Sequence, residues 1–409
     1  VADLLEFGEA RARVIAQARD VGTETATIAS AGGRVLRRDV LARASIPRFD
    51  NSAMDGYAVA TADLPEEDDF PTKEQFSLKV AGESRAGGDS GVLPPRTACR
   101  IFTGAPLPVR ADAVIMQENV RREGDGIFFE ARPKPWQHVR KLGEDMKLGE
   151  KALSVGTRLS AGALALAAML DQAEVLVARR PRVTILSTGD ELRAPGSPDS
   201  FGSIPESNSP AIAQLALGAG ADVTIAGVVR DDPAEIERAI LDALASCDLL
   251  VTVGGVSVGD HDYVKPALER AGVSLDFWKV AIKPGKPLVV GHGQHAHVIG
   301  LPGNPASAMV TFALFGVPML RAMQRDASPL PFVIPVQLGK ARPRVKERLE
   351  IARVRLVRQG TRLVAMPHDN QASGAATALA DSDGVALLPP GTGTWDVGAE
   401  VDVVRWSDL

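Results

Sequence analysis

The fold is decided by residues 248–307. Asp248-Leu249-Leu250-Val251-Thr252-Val253 runs into Gly254-Gly255-Val256-Ser257-Val258-Gly259-Asp260-His261-Asp262. Further on come Trp278-Lys279-Val280-Ala281-Ile282-Lys283-Pro284-Gly285-Lys286-Pro287 and Leu301-Pro302-Gly303-Asn304-Pro305-Ala306-Ser307. Each of the three Gly/Pro-rich breaks follows an apolar or β-branched run, the mark of a strand passing into a loop. In an open parallel sheet such loops gather at the carboxyl ends of the strands, where ligands bind. These loops carry carboxylates, lysines, serines and uncovered amides, a mixture suited to an anionic ligand with a divalent cation.

Outward from that stretch, strand-like runs at 183–186, 223–229, 277–281 and 298–301 alternate with helical stretches near 209–218, 232–245, 262–271 and 305–323. Such alternation predicts a doubly wound, mainly parallel α/β domain. In the helix at 232–245, Ile236, Ala239, Ile240, Ala243 and Leu244 recur at helical spacing. Asp232 is its expected N-cap, with Pro233 at the first helical position and Glu235 in the first turn. That assignment leaves the neighbouring Asp231 free for other work.

Before this domain, residues 3–19 and 159–170 read as helices and 35–41 as a short strand. Residues 76–130 read as all-β. Asp55-Gly56 predicts a tight turn leading into Tyr57-Ala58-Val59, and Thr103-Gly104 either ends a strand or offers a hydroxyl and an amide to a ligand. Gly143-Glu144-Asp145 is an acidic turn. After Ser328 alternating runs return, predicting a small antiparallel β domain. The fold class is therefore α/β plus β: multi-domain, with a doubly wound mainly parallel α/β domain, a β-rich domain and a small C-terminal antiparallel β domain.

A chain of 409 residues exceeds one ordinary core. A net charge of -5 and 4% aromatic residues argue against a nucleic-acid footprint. Cys99 and Cys247 stand alone, which disfavours thiolate zinc or a disulfide framework. With no apolar run read as spanning a bilayer and no signal-peptide pattern, the expectation is a cytoplasmic enzyme or assembly factor without membrane contact.

Gly254, Gly255 and Gly259 match neither the phosphate loop that ends in Gly-Lys-Ser/Thr nor the dinucleotide spacing, yet they let amides approach an oxyanion beside Ser257. Lys283 and Lys286 flank a Pro-Gly turn, and two close ammonium groups make sense with an anion between them. Asn304, with Pro305 after it, is the expected cap of the next helix. Glu191, Asp231 and Asp262 each lie just past a predicted strand, and their oxygen-only donor set points to Mg²⁺. His292, His295 and His297 read as a solvent-exposed loop. No Gly-x-Ser-x-Gly elbow supports a serine hydrolase.

Taken in order along the chain, these segments resemble the molybdopterin molybdotransferase family (MoeA-type proteins, similar also to the gephyrin E domain). The matching text is Asp50 to Ala58, Thr103 to Pro108, Gly143 to Asp145, Ser187 to Glu191, Arg230 to Asp232, Gly254 to Asp262, Ile282 to Pro287 and Leu301 to Ser307. The resemblance implies four domains: 1–41 with 147–178 as a helical linking domain, 42–146 as the β-rich domain, 179–326 as the α/β molybdopterin-binding domain, and 327–409 as a β-barrel-like domain. It implies an L-shaped homodimer that inserts molybdate into adenylylated molybdopterin, with Mg²⁺-dependent release of AMP.

By the same resemblance Glu191, Asp231 and Asp262 are the acids around Mg²⁺ and the adenylate phosphate, and Asp55, Thr103 and Asp145 are contributed by the partner subunit. Ser257, Lys283, Lys286 and Ser307, beside Gly254 and Gly255, are oxyanion or pterin-phosphate contacts. Arg353 and Ser373 are C-terminal contributors to molybdate binding. A molybdopterin adenylyltransferase and molybdoenzymes are the protein partners it implies. Two other readings stay open at this point: a non-catalytic gephyrin-like scaffold, and adenylylation of molybdopterin.

Overall fold

A computed structural model of the chain describes residues 4–66, 76–255 and 263–409. Ser257 and Asp262 lie outside them.

The α/β unit is built on six strands: β1 (Arg182–Thr188), β2 (Asp222–Val229), β3 (Leu249–Val253), β4 (Ser274–Lys279), β5 (Pro287–His292) and β6 (His297–Leu301). Their order across the sheet is β2-β1-β3-β6-β5-β4. The first four are parallel, β5 is antiparallel to both its neighbours, and β4 beyond it runs in the direction of the first four. The sequence reading missed β5. Its Leu288-Val289-Val290 core is buried on both faces, so it lacks the polar alternation that announces a strand.

Four helices cover this sheet: α1 (Asn208–Gly218), α2 (Pro233–Leu244), α3 (Val264–Arg270) and α4 (Pro305–Met323). The predicted cap of α2 is present, with the Asp232 carboxylate accepting from the amides of Ala234 and Glu235 at 2.9 Å each. Asn304 sits at the N-cap of α4 but its side chain makes no cap bond. Contrary to the sequence reading, α4 is long and apolar enough to cross a membrane, with a mean hydropathy of 1.5. It is nonetheless a core helix, since 89% of that window is buried inside the protein.

The C-terminal strands Leu349–Gln359, Arg362–Pro367, Ile334–Leu338, Glu400–Arg405 and Gly384–Leu388 pair in that order, and the last returns to the first. The result is a small closed barrel, which leaves no free edge. It is not purely antiparallel as expected: Gln337-Leu338 runs parallel to Val364-Ala365. A two-residue strand, Ile282–Lys283, leaves the α/β unit and adds in parallel to Leu349–Glu350 of the barrel. One hydrophobic core spans both units, joining α4 residues such as Phe312 and Phe315 to Ile351, Val385 and Val404. The N-terminal helix Phe7–Gln17 packs into the same core, with the rings of Phe7 and Phe315 edge to face at 5.5 Å.

The β-rich part is a six-stranded sheet in the order Ala113–Met116, Gly56–Val59, Thr97–Ile101, Phe76–Ser84, Gly126–Phe129, Arg121–Glu123. The Asp55-Gly56 turn does lead into its strand, and Gly56 is obligatory there. A Cβ would lie 2.0 Å from the Ile115 carbonyl oxygen.

Candidate functional site

The lysine turn opens onto a cavity of about 320 Å³ between the α/β unit and the barrel. Lys283, Pro284, Gly285, Lys286, Pro287 and Ser307 line one side; Arg348, Glu350, Ile351, Gln371, Ala372 and Ser373 line the other. Four residues predicted from sequence at distant positions, Lys283, Lys286, Ser307 and Ser373, thus meet in one place.

Backbone pairing brings them there. Besides the Ile282–Lys283 strand, the Leu349 amide donates to the Ala281 carbonyl at 2.9 Å, and the Ala306 amide, in the first turn of α4, donates to the Ser373 carbonyl at 3.1 Å. Between the lysines, Gly285 has φ +96°, and a Cβ there would meet the Thr311 hydroxyl oxygen at 2.4 Å. Only glycine fits both the backbone angle and the space.

Charge in the cavity is strongly one-sided. Glu350 is 5% exposed and is spent on Arg342, whose guanidinium donates to it at 2.7 and 3.2 Å. Lys283, Lys286 and Arg348 have no protein partner among the described residues. Three uncompensated cations with the hydroxyls of Ser307 and Ser373 make a site for a small oxyanion. Arg348, Glu350 and Gln371 were missed in the sequence. Arg348 lies in a basic run with no spacing signature, so nothing local distinguishes it from surface cations.

Arg353 is placed differently from the expectation that it contributes to binding. It is 1% exposed, does not line the cavity, and donates to the carbonyls of Asn370, Ala372 and Ala375 at 2.9–3.2 Å. A guanidinium committed to three carbonyls of the neighbouring loop has no fork left to offer a ligand.

A second group of residues gathers at the carboxyl end of the parallel sheet. Gly254 and Gly255 have φ +90° and +61°, and their Cβ atoms would strike the Thr188 carbonyl oxygen at 2.7 Å and the Val264 side chain at 2.3 Å. Close packing therefore requires both glycines, whatever their amides bind. Beside them the Thr188 hydroxyl and the side-chain oxygen of Asn208 are buried without a partner among the described residues, while the Asn208 amide nitrogen donates to the Gly303 carbonyl at 2.8 Å. Buried orphan acceptors of this kind mark a place where a ligand's donors can bind. Asn208 had no signal in the sequence beyond its position at a helix start, and Thr188 was marked only as part of the Ser187–Glu191 segment.

The carboxylates stand at the same end of the sheet. The Asp231 amide donates to the Asp190 carboxylate at 3.2 Å, so the loops after β1 and β2 touch. Glu191 is exposed, and its carboxylate curls back over Gly189. Among the described residues no group of three or more His, Cys, Asp or Glu side chains is placed to hold a metal. The trio of Glu191, Asp231 and Asp262 cannot be assembled from them, because Asp262 lies outside.

Asp55 and Thr103 form one unit. The Asp55 carboxylate accepts from the Thr103 amide at 2.8 Å and its hydroxyl at 3.0 Å, and these bonds hold the carboxyl below its ordinary range. Asp145 is exposed on the Ile46–Met146 turn. None of the three lines the oxyanion cavity.

The histidines depart from the loop reading. His292 and His297 lie at paired strand ends, and the Asp276 carboxylate is 3.2 Å from His292. His297 is 2% exposed and its Nε2 accepts from the Arg19 amide at 3.1 Å. Burial, with the Arg19 and His292 charges nearby, pushes its imidazole down to about 4. Only His295 is an exposed loop residue.

Fold and site together define a multi-domain α/β-plus-barrel protein with a cation-lined cavity between two of its units. Residues 5–170 match the model of the MoeA N-terminal region (domain I and II), 184–322 that of the "Probable molybdopterin binding domain", and 335–406 that of the MoeA C-terminal region (domain IV). The chain is 41% identical over 324 residues to a molybdopterin molybdenumtransferase of Haemophilus influenzae, covering 78% of each chain. It is 33% identical over 387 residues to one of Bacillus subtilis, covering 93% of this chain and 89% of that one. A molybdopterin biosynthesis MoeA protein from Pyrococcus horikoshii OT3 superposes with a TM-score of 0.84 at 28% identity, over 99% of this chain and 100% of the other. The chain belongs to the MoeA family of molybdopterin molybdenumtransferases.

Proposed function

We propose that the chain is a transferase that inserts molybdate into adenylylated molybdopterin and releases AMP in a Mg²⁺-dependent step. The observation that carries the reading is the inter-unit cavity, where Lys283, Lys286 and Arg348, without a side-chain partner among the described residues, stand beside two serine hydroxyls. Molybdate is a small dianion, and such a cavity offers charge and hydroxyls without any thiolate. The sulfur ligands for the metal then come from the pterin dithiolene, in keeping with two buried cysteines that take no part in the cavity.

In this reading the α/β unit receives the pterin and its adenylate. Thr188 and Asn208 accept hydrogen bonds from the ligand, while Gly254, Gly255 and Ser257 border its phosphates. Lys283, Lys286, Arg348, Ser307 and Ser373 hold the oxyanion in line with the dithiolene, while Arg353 acts on it only indirectly. The exposed Glu191 and half-buried Asp231, on the touching loops after β1 and β2, suit Mg²⁺, which is commonly held by one or two carboxylates with substrate phosphate oxygens and water. Glu191 and Asp231, with Asp262, are the residues assigned to hold it. The ion supplies neutralisation of phosphate charge.

The four-domain division at 41/42, 146/147, 178/179 and 326/327, a cytoplasmic location and a homodimer belong to the same proposal, with Asp55, Thr103 and Asp145 reaching the partner's site. A molybdopterin adenylyltransferase would supply the substrate and molybdoenzymes would receive the product. Self-association is favoured by the edge strand β2, which has no charged residue from Val223 to Val229 and leaves Ile225 50% exposed. An uncovered apolar edge invites pairing.

Purified protein mixed with adenylylated molybdopterin, Mg²⁺ and molybdate is expected to release AMP and yield active cofactor. Absence of molybdate-stimulated AMP release overturns the assignment.

A further inference from the structure

Residues 134–141 support the chain just before the Asp55 turn. Ser52 pairs with Val139 and Asn51 with Arg140, and the Ala53 amide donates to the His138 carbonyl at 2.8 Å. The Gly104 amide in turn donates to the Ser52 carbonyl at 2.8 Å. Segment 134–141 therefore shares one backbone framework with the Asp55–Thr103 unit.

Within that segment Trp136 has φ +67° and His138 φ +57°. Left-handed backbone is natural to glycine, and a bulky residue there is a clear outlier. Hydrogen bonds impose the conformation. The Gln137 amide donates to the Lys134 carbonyl at 3.0 Å and the Val139 amide to the Trp136 carbonyl at 3.2 Å, while the Gln137 carbonyl accepts from the Val114 amide at 2.9 Å. On backbone grounds alone glycine would suit position 136 better than tryptophan. Core packing does not explain the indole either, because Trp136 remains 42% exposed. The Lys141 Nζ stands 4.2 Å from its ring centroid, and that ammonium pairs with no carboxylate among the described residues. At an exposed site a cation over a ring adds little. Strained residues that the fold itself does not require cluster where ligands are clamped.

An exposed indole beside an uncompensated ammonium has the chemistry to hold a flat, nitrogen-rich ring system that carries a phosphate. The ring stacks on the indole, and the ammonium attracts the phosphate. We infer that Trp136, with Lys141 beside it, is a stacking residue for the fused-ring heteroaromatic part of adenylylated molybdopterin bound to the partner subunit. This rests on the molybdate-transfer reading above, in which Asp55 and Thr103 reach the partner's site. Adenine and pterin share the chemistry that such a face recognises, and the test separates them. Molybdate has no ring to stack, so loss of the indole weakens one substrate and spares the other.

The test uses Trp136→Gly and Trp136→Phe in the full-length protein. Steady-state AMP release is measured against adenylylated molybdopterin and, separately, against molybdate; urea unfolding checks the fold. Trp136→Gly is expected to unfold near the wild-type midpoint, because relief of the left-handed backbone offsets the lost partial packing of the ring. Its KM for adenylylated molybdopterin is expected to rise about 5–150-fold, the range that stacking of a base on an aromatic side chain gives. Its molybdate KM is expected to stay within about twofold, as for separate sites. Trp136→Phe keeps an aromatic face and is expected to recover most of the loss. AMP added as an inhibitor identifies the ring: an inhibition constant that rises with the KM assigns adenine, and an unchanged one assigns the pterin. An unchanged KM for adenylylated molybdopterin overturns the inference and leaves the molybdotransferase reading intact. So does a parallel rise for molybdate, or a phenylalanine variant as weak as the glycine one. A Trp136→Gly protein that fails to fold makes the indole a packing element and overturns it as well. Lack of molybdate-dependent turnover in the wild-type protein removes the transfer reading itself, and this inference with it.

Discussion

Replacing Gly285 by alanine tests how the lysine turn is held. At φ +96° an L-residue costs about 1–2 kcal/mol relative to glycine. The added methyl would also sit 2.4 Å from the Thr311 hydroxyl oxygen and 3.1 Å from the Ile282 Cδ1, so the turn must move away from α4. Overpacking of this kind costs about 1–3 kcal/mol, giving about 2–5 kcal/mol for Gly285→Ala.

The two contributions can be separated with Thr311→Ala, which removes the oxygen that the methyl meets. In urea unfolding followed by circular dichroism, Gly285→Ala is expected to lower the midpoint of the transition, and the double variant to recover the packing share but not the backbone share. Because Lys283 and Lys286 flank the glycine, the single variant is also expected to raise the molybdate KM, partly recovered in the double. A Gly285→Ala protein within about 0.5 kcal/mol of wild type, the range of an ordinary surface change, would refute the reasoning. So would a double variant with none of the loss recovered.

Other expectations follow from the same geometry. Lys283→Ala or Lys286→Ala removes a charged donor worth about 1.5–3 kcal/mol, a rise of about 10–150-fold in the molybdate KM seen in AMP release; an unchanged KM would detach the lysines from the oxyanion. Chelating Mg²⁺ with EDTA is expected to stop AMP release and added Mg²⁺ to restore it, whereas persistence would remove the ion from the reaction. His297, held neutral by burial down to about 4, contributes stability that is complete above the unfolded value of about 6.5 and is lost as pH falls from there towards 4. The loss is on the order of 3 kcal/mol in all, and a His297→Gln protein whose stability keeps the same slope across that window would disprove it. Thr103→Val removes one of the donors to Asp55 and is expected to move that carboxyl back towards its ordinary pKa, read by NMR titration; an unmoved carboxyl would mean the hydroxyl bond is idle.

Much of the architecture was legible because it is local. The α2 cap announced itself in Asp232-Pro233-Ala234-Glu235, and alternation of strand and helix from residue 183 onward gave the α/β unit its class. β5 escaped because a strand buried on both faces has no period to read. Asn304 does stand at the N-cap before Pro305, as its position announces, but the sequence says nothing about where its side chain turns, and it makes no cap bond. The histidines were misread for a related reason: Gly293, Gln294 and His295 look like a loop, but their neighbours at either end are strand residues.

The site was half legible. Lys283, Lys286 and Ser307 were found as loop residues bearing chemistry, and Arg353 and Ser373 entered only through the family resemblance, while Arg348 went unmarked in a run that also holds Lys340, Arg342, Arg344, Lys346 and Arg355. The distinction lies in what each guanidinium can reach. Arg353 spends its donors on carbonyls brought near by a loop some 20 residues away, while Arg348 lines the cavity and has no side-chain partner among the described residues. Similarly, Glu350 would read as a fourth charge in the cavity were it not matched by Arg342.

By itself the sequence determined which segments become helix, strand or turn, and which loops carry oxyanion-type groups, because capping, periodicity and glycine's backbone freedom act over a few residues. Only the tertiary structure decided that a two-residue strand from the α/β unit joins the barrel, and so that Lys283, Ser307, Arg348 and Ser373 share one cavity. Strand pairing and charge compensation depend on groups far apart along the chain, and their outcome is settled when those groups compete for the same partners in space.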